Sequence, residues 1–175
     1  MMRRLIGIAL VVLFAAGKAD GRLPSAVPDA DRWQLQGRGE MRWFGFPIYD
    51  AKLWRSGDQW RNDAPYALEL NYRRDISAER LVATSIDEMV RLGERDEARL
   101  QQWRAALTRV FPSVREGDTI VGLHEPGRGA RFFHNGRPTG RVDDAALAAA
   151  FFAIWLDPRT KAPELREQLL AANEK

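Results

Sequence analysis

The sequence predicts an α+β fold in which an antiparallel sheet is covered by helices. Three observations predict it. Segments that alternate with period two are joined by turns short enough for hairpins. Segments with helical spacing come in two adjacent pairs instead of one between each strand and the next. No strand followed by a glycine-rich phosphate loop and a helix occurs, which argues against a parallel βαβ sheet.

The first 19 residues read as a leader. Arg3 and Arg4 precede an apolar run, Leu5 to Ala16, and Gly17-Lys18-Ala19 supplies small residues at a cleavage spacing. A secretory signal peptide cut after Ala19 is expected, leaving a single domain over residues 20–175, no stable membrane anchor and a periplasmic or secreted location. Asp20 to Asp31 is rich in glycine, proline and charge and is expected to be a loose lead-in. Trp33 and Leu35 start a short strand that Gly37 interrupts.

The stretch that organises the chain runs from Gly37 to Trp54. Gly39, Met41 and Trp43 alternate with Glu40 and Arg42; beyond the middle, Tyr49, Ala51 and Leu53 alternate with Asp50, Lys52 and Trp54. Side chains alternate across a strand, so the stretch is a strand pair or one long bent strand, with Gly45 and Pro47 marking the bend. Ser56-Gly57-Asp58 supplies a turn. Tyr66, Leu68, Leu70 and Tyr72, alternating with Ala67, Glu69 and Asn71, give the clearest strand.

After Asp75 the period changes. Ala78, Leu81, Val82, Ile86, Met89 and Val90 follow the three-to-four spacing of a helix, with Ser77 as N-cap and Gly93 at its end. A second helix, Glu97 to Val110, places Leu100, Trp103, Leu107 and Val110 on one face and stops at Phe111-Pro112. Thr119–His124 and Ala130–His134 form a hairpin, and Asn135-Gly136 turns tightly into Arg137–Val142. Asp143 and Asp144 open an apolar helix, Ala145 to Leu156, expected to be buried against the sheet. A last helix starts at Pro163, a favoured first position, and runs to about Ala172.

Composition narrows the function. The chain has 27 basic and 24 acidic side chains. Cleavage after Ala19 would remove Arg3, Arg4 and Lys18, cancelling that excess, so electrostatics give no support for a nucleic-acid partner. There is no cysteine, which excludes a disulfide, a thiolate ligand and a lipid-modified cysteine anchor. His124 and His134, both near strand ends, are too few for a metal site and are expected to be satisfied there. No serine sits in a nucleophile elbow, and Gly37-Arg38-Gly39 fails as a nucleotide loop because a strand follows it. Carboxylate pairs such as Asp143-Asp144 stand at helix starts, where capping accounts for them. Arg42, among Trp43, Phe44, Phe46 and Tyr49, has two readings: an exposed strand arginine, or an anchor for a carboxylate or phenolate beside an apolar cavity.

The order of these features resembles the chalcone isomerase-like family, in its bacterial exported branch. Leu35-Gln36-Gly37-Arg38-Gly39 leading to Arg42 carries the resemblance, with Phe46-Pro47-Ile48-Tyr49-Asp50-Ala51-Lys52-Leu53-Trp54 and Leu68-Glu69-Leu70-Asn71-Tyr72. Gly136, Gly140, Phe151 to Leu156 and Pro163-Glu164-Leu165 extend it over nearly all of the chain beyond the leader. The resemblance implies an open-faced β-sandwich, a large antiparallel sheet with a layer of helices on one face and a cleft between them. In the plant isomerases that cleft closes a flavanone ring without a cofactor; related non-catalytic members hold fatty acids there, an arginine and a tyrosine on the carboxylate. Arg42 is the best match to the cleft arginine, with Arg38 and Arg32 as alternatives. The other isomerase positions depart: the threonine falls at Phe44, a tyrosine near Ser77, and a hydroxyl residue at Ala162.

With those three residues replaced, little remains to hold an enone oxygen and a phenolate. The expectation is therefore an exported, non-catalytic protein that binds an apolar ligand with an acidic group, a fatty acid or similar lipid, without cofactor or metal. Arg42 would pair with the head group, and Tyr49, Tyr72, Phe44 and Trp43 would line the cavity. Two alternatives stand beside it: an intramolecular lyase acting on chalcone-like compounds, and an envelope protein acting through a protein partner.

Overall fold

The computed structural model describes residues 22–171; the expected leader lies outside them. In chain order the strands and helices are β1 (Gln34–Trp43), β2 (Phe46–Arg55), β3 (Tyr66–Tyr72), α1 (Ala78–Leu92), α2 (Glu97–Val110), β4 (Thr119–Glu125), β5 (Gly129–His134), β6 (Arg137–Val142), α3 (Ala145–Leu156) and α4 (Pro163–Leu170). The six strands form one antiparallel sheet in sequence order, with β1 and β6 at its edges. All four helices pack on one face, so the expected α+β, open-faced architecture is the observed one.

The alternation read from Tyr66 to Tyr72 sorts side chains between two cores. Tyr66, Leu68, Leu70 and Tyr72 face the helices with Ala51, Leu53 and Phe132, whereas Ala67 joins Trp54, Val121, Leu123 and Phe133 on the outer face. Leu23 and Val27 bury themselves on that outer core, and Trp33 donates its indole N–H to the Pro28 carbonyl at 2.9 Å. The expected loose lead-in is thus a packed cover, because the outer apolar patch needs one.

The stretch from Gly37 to Trp54 resolves into a hairpin of two ten-residue strands. Gly37 does not interrupt β1: the strand continues through a register shift between Leu35 and Gly37. Glycine is required there by close approach, since a Cβ would collide with the carbonyls of Gln168 and Leu169 in α4. Gln36 Nε2 also donates to the Leu170 carbonyl at 3.0 Å, so α4 covers the β1 edge.

Helix boundaries follow their caps. Ser77 Oγ accepts from the Arg80 N–H, Asp96 Oδ1 from Arg99, and Asp144 Oδ1 from Ala146 and Leu147. Asp144 Oδ2 takes the Trp103 indole N–H at 3.0 Å, linking α2 to the start of α3. The apolar α3 was expected to be buried, yet only one face is: Leu147, Ala148, Phe151, Phe152 and Trp155 face inward while Ala145, Ala146 and Ala149 are exposed. Helix α1 packs on α2 and α3 more than on the sheet, and this leaves space between it and β1–β3.

Candidate functional site: a cavity between the sheet and the helices

That space is a cavity of about 710 Å³, within the usual range for small-molecule sites. Its floor is the helix-facing side of the sheet: Met41 from β1, Ile48 and Tyr49 from β2, Leu70 and Tyr72 from β3, and Ile120 from β4. Leu81, Thr84 and Ser85 of α1 and Phe151, Ile154 and Trp155 of α3 form the roof, and Phe111 closes the inner end. A pair of backbone bonds between Ile76 and Val114, 2.9 Å each, fixes the segment entering α1 against the one leaving α2. Arg74, Arg80 and Lys161 stand at the rim with Asp75 and Asp87.

Tyr49 is the polar group best held inside. Its hydroxyl oxygen accepts the Trp155 indole N–H at 2.9 Å, and its ring meets Tyr72 edge-on, 5.8 Å between centroids. Burial pushes the Tyr49 phenol up to about 12, with the Trp155 bond opposing; burial, then the neighbouring Tyr49, pushes Tyr72 further still. Both phenols are therefore protonated at neutral pH and available as donors to an oxygen in the cavity.

Glu88 is the acidic group set deepest in the roof. Burial works to raise its carboxyl, but Lys161 Nζ at 2.5 Å and Arg91 Nε at 2.7 Å outweigh it and keep it ionised. It is a carboxylate held between two cations and not a free base. No histidine lines the cavity among the described residues. His124, expected to be satisfied at its strand end, is instead buried against the Tyr66 and Phe152 rings with Nδ1 unpartnered among the described residues.

The structure separates the five residues proposed from sequence. Tyr49, Tyr72 and Trp43 line the cavity; Arg42 and Phe44 do not. Register gives the reason. Met41 pairs with Tyr49 and faces the cavity, so Arg42, one residue on, points the other way. Its side chain is 58% exposed, its guanidinium donates to the Gly45 carbonyl at 2.9 Å, and its Nε pairs with Glu40. Phe44 occupies the hairpin turn itself and is 85% exposed. The cations that border the cavity are Arg74, Arg80 and Lys161, none of them singled out from sequence. Trp155 was missed as well. One signal was available for α1: Ser85 and Glu88 are polar residues on its otherwise apolar, buried stripe.

Of the positions that depart from the isomerase pattern, Ser77 and Ala162 do border the cavity, whereas Phe44 lies outside it. Among solved structures, the fold is similar to that of a fatty-acid binding protein of Arabidopsis thaliana. The TM-score is 0.62 at 14% sequence identity, over 81% of this chain and 88% of that one. Comparison with curated protein sequences finds no match. Residues 24–171, nearly the whole of the described chain, match the chalcone isomerase-like family, and the chain belongs to it.

Proposed function

We propose that this protein is an exported, non-catalytic member of the family that holds an apolar molecule with a small acidic or polar head, of the fatty-acid class, in the cavity beneath α1 and α3. The observation that carries the proposal is the cavity itself. Its walls are mostly apolar, and two protonated phenols, Tyr49 and Tyr72, supply donors on its floor. Binding is favoured over catalysis by the chemistry of the lining: the phenols are too basic to give up protons near neutrality, and Glu88 is committed to Lys161 and Arg91. The fatty-acid class is suggested by the structural relative. Export rests on the leader pattern of Met1–Ala19.

Native mass spectrometry of protein purified from its own cells, followed by lipid extraction, tests the proposal. A co-purifying fatty acid or similar lipid is the expected result. Ile154→Trp, which fills the roof from a partly buried position, should abolish uptake of a long-chain fatty acid while thermal stability is kept. Protein that is empty as isolated and also refuses an added fatty acid would overturn it. Measurable acceleration of chalcone ring closure would replace it with the lyase.

A further inference from the structure

The β1–β2 hairpin extends beyond the cavity and ends in three bare aromatic side chains. Trp43 is 53% exposed, Phe44 85% and Phe46 68%. They are the exposed large hydrophobic side chains among the described residues, and all three sit within four positions of one turn. Trp43 and Phe46 are register partners, so they share a face of the hairpin, and Trp43 also lines the cavity. The patch is therefore continuous with the mouth.

Phe44 has no folding reason to be there. It occupies the first position of a two-residue turn at φ +48°, with Gly45 at +81°. A bulky side chain in the left-handed region is strained, and asparagine is the residue that suits this position. Burial does not compensate, since the ring touches only Trp43 edge-on among the aromatic contacts of the described residues. Strain at an exposed aromatic points to something outside the fold.

We propose that this hairpin tip is a docking wedge for an anionic lipid bilayer, seating the cavity mouth on the membrane from which its ligand enters. The proposal rests on the lipid-binding reading above. Geometry supports it: Trp43 is the last cavity-lining residue of β1, and Phe44 and Phe46 lie just beyond it at the end of the hairpin, bare to solvent and outside the lining. Tryptophan and phenylalanine suit that interface. Charge supports it too. Arg42, the one charged side chain from Met41 to Tyr49, is balanced by its ion pair with Glu40, so the cations that bear on a membrane are those at the rim, Arg74, Arg80 and Lys161. The Arg73 N–H bonds the Ile48 carbonyl at 2.9 Å, which sets Arg74 beside the hairpin. Neither Arg74 nor Arg80 has a carboxylate partner among the described residues, whereas Glu88 is paired with Lys161 and Arg91. Asp75, which accepts the Glu116 N–H, and Asp87 are the remaining acids at the rim. A second copy of the chain fits less well, because a standard protein interface engages about 20–30 residues a side and this wedge offers three.

Flotation with vesicles of phosphatidylethanolamine and phosphatidylglycerol tests the wedge, using protein purified from its own cells. The wild type is expected to float, and more weakly on phosphatidylcholine alone. The Phe44→Asn/Phe46→Ser variant should partition about tenfold less or worse. It should still take up a long-chain fatty acid in vesicle-free solution, since neither residue lines the cavity, and Asn-Gly is a favoured turn, so folding is preserved. A wild type that ignores vesicles, or a variant that floats as well, overturns the docking proposal while leaving the cavity reading intact. So would light scattering showing that the tip holds two copies together. Wild type that floats but is empty as isolated and refuses the fatty acid overturns the cavity reading instead.

Discussion

The β1–β2 and β5–β6 hairpins turn on nearly the same backbone and carry different residues there. Phe44-Gly45 has φ values of +48° and +81°, and Asn135-Gly136 of +48° and +74°. In each, two residues link register partners, Trp43 with Phe46 and His134 with Arg137. At the second turn the side chain serves the fold. Asn135 Oδ1 accepts the Thr119 N–H at 2.8 Å, and its Nδ2 donates to Asp118 Oδ1 at 2.8 Å. At the first turn Phe44 makes no such bond and stands in water. Identical backbone demands met by opposite residue choices show that one turn is tuned for stability and the other is not.

Exchanging the turn residues sharpens the contrast. Asn135→Phe should have the largest effect, a loss of about 2–4 kcal/mol, from two hydrogen bonds and the left-handed strain together. Denaturant unfolding would show it as a lower midpoint at unchanged slope. A loss below about 0.5 kcal/mol, the level of ordinary surface changes, would mean the turn is indifferent to its side chain. Phe44→Asn should move the other way and by less: relief of strain, partly offset by the lost Trp43 contact, amounts to a gain of about 0.5–1 kcal/mol. For a domain of this size that is a rise in Tm of about 1–4 °C. A destabilised variant would show that Phe44 is held for folding after all.

The smallest effect is the pH dependence that the Asn135 turn contributes. The Asn135 amide, then the Arg115 N–H and His134, hold the Asp118 carboxyl at about 2, below its ordinary 3.8. With the folded value below the unfolded one, the unfolded chain takes up the proton first as pH falls. The stabilisation is therefore present above about pH 4 and lost between there and about pH 2. Asn135→Gly, which keeps the backbone, should make Tm fall less steeply with pH in that window, the remainder coming from groups such as Asp157 beside Arg159, while Phe44→Asn should leave the slope unchanged. Equal slopes in all three proteins would remove Asn135 as the cause.

The fold was legible in the sequence wherever one local rule decided. Alternation placed β3, cap residues bounded α1, α2 and α3, and Asn135-Gly136 marked its turn, because each depends on neighbours a few residues apart. The cavity was legible in part. Tyr49 and Tyr72 were reached through strand period, but Arg42 was assigned to the ligand's head group when register turns it away from the cavity. Which face of β1 looks into the cavity decides that: Met41 is on the cavity side opposite Tyr49, so Arg42, the next residue, is on the other. Trp155, Arg74, Arg80 and Lys161 come from segments far apart along the chain, and no local pattern joins them to Tyr49.

The sequence by itself determined the elements, their order, the α+β class and the family resemblance, since periodicity and caps are written in short windows. Only the tertiary structure decided that Leu23 and Val27 cover the outer face, that α1 stands off the sheet, and which side chains meet in the space beneath it. Those outcomes depend on how preformed elements share apolar surface across the whole chain. The same holds at the hairpin tip, where only a count of neighbours in three dimensions reveals that Phe44 and Phe46 have almost none.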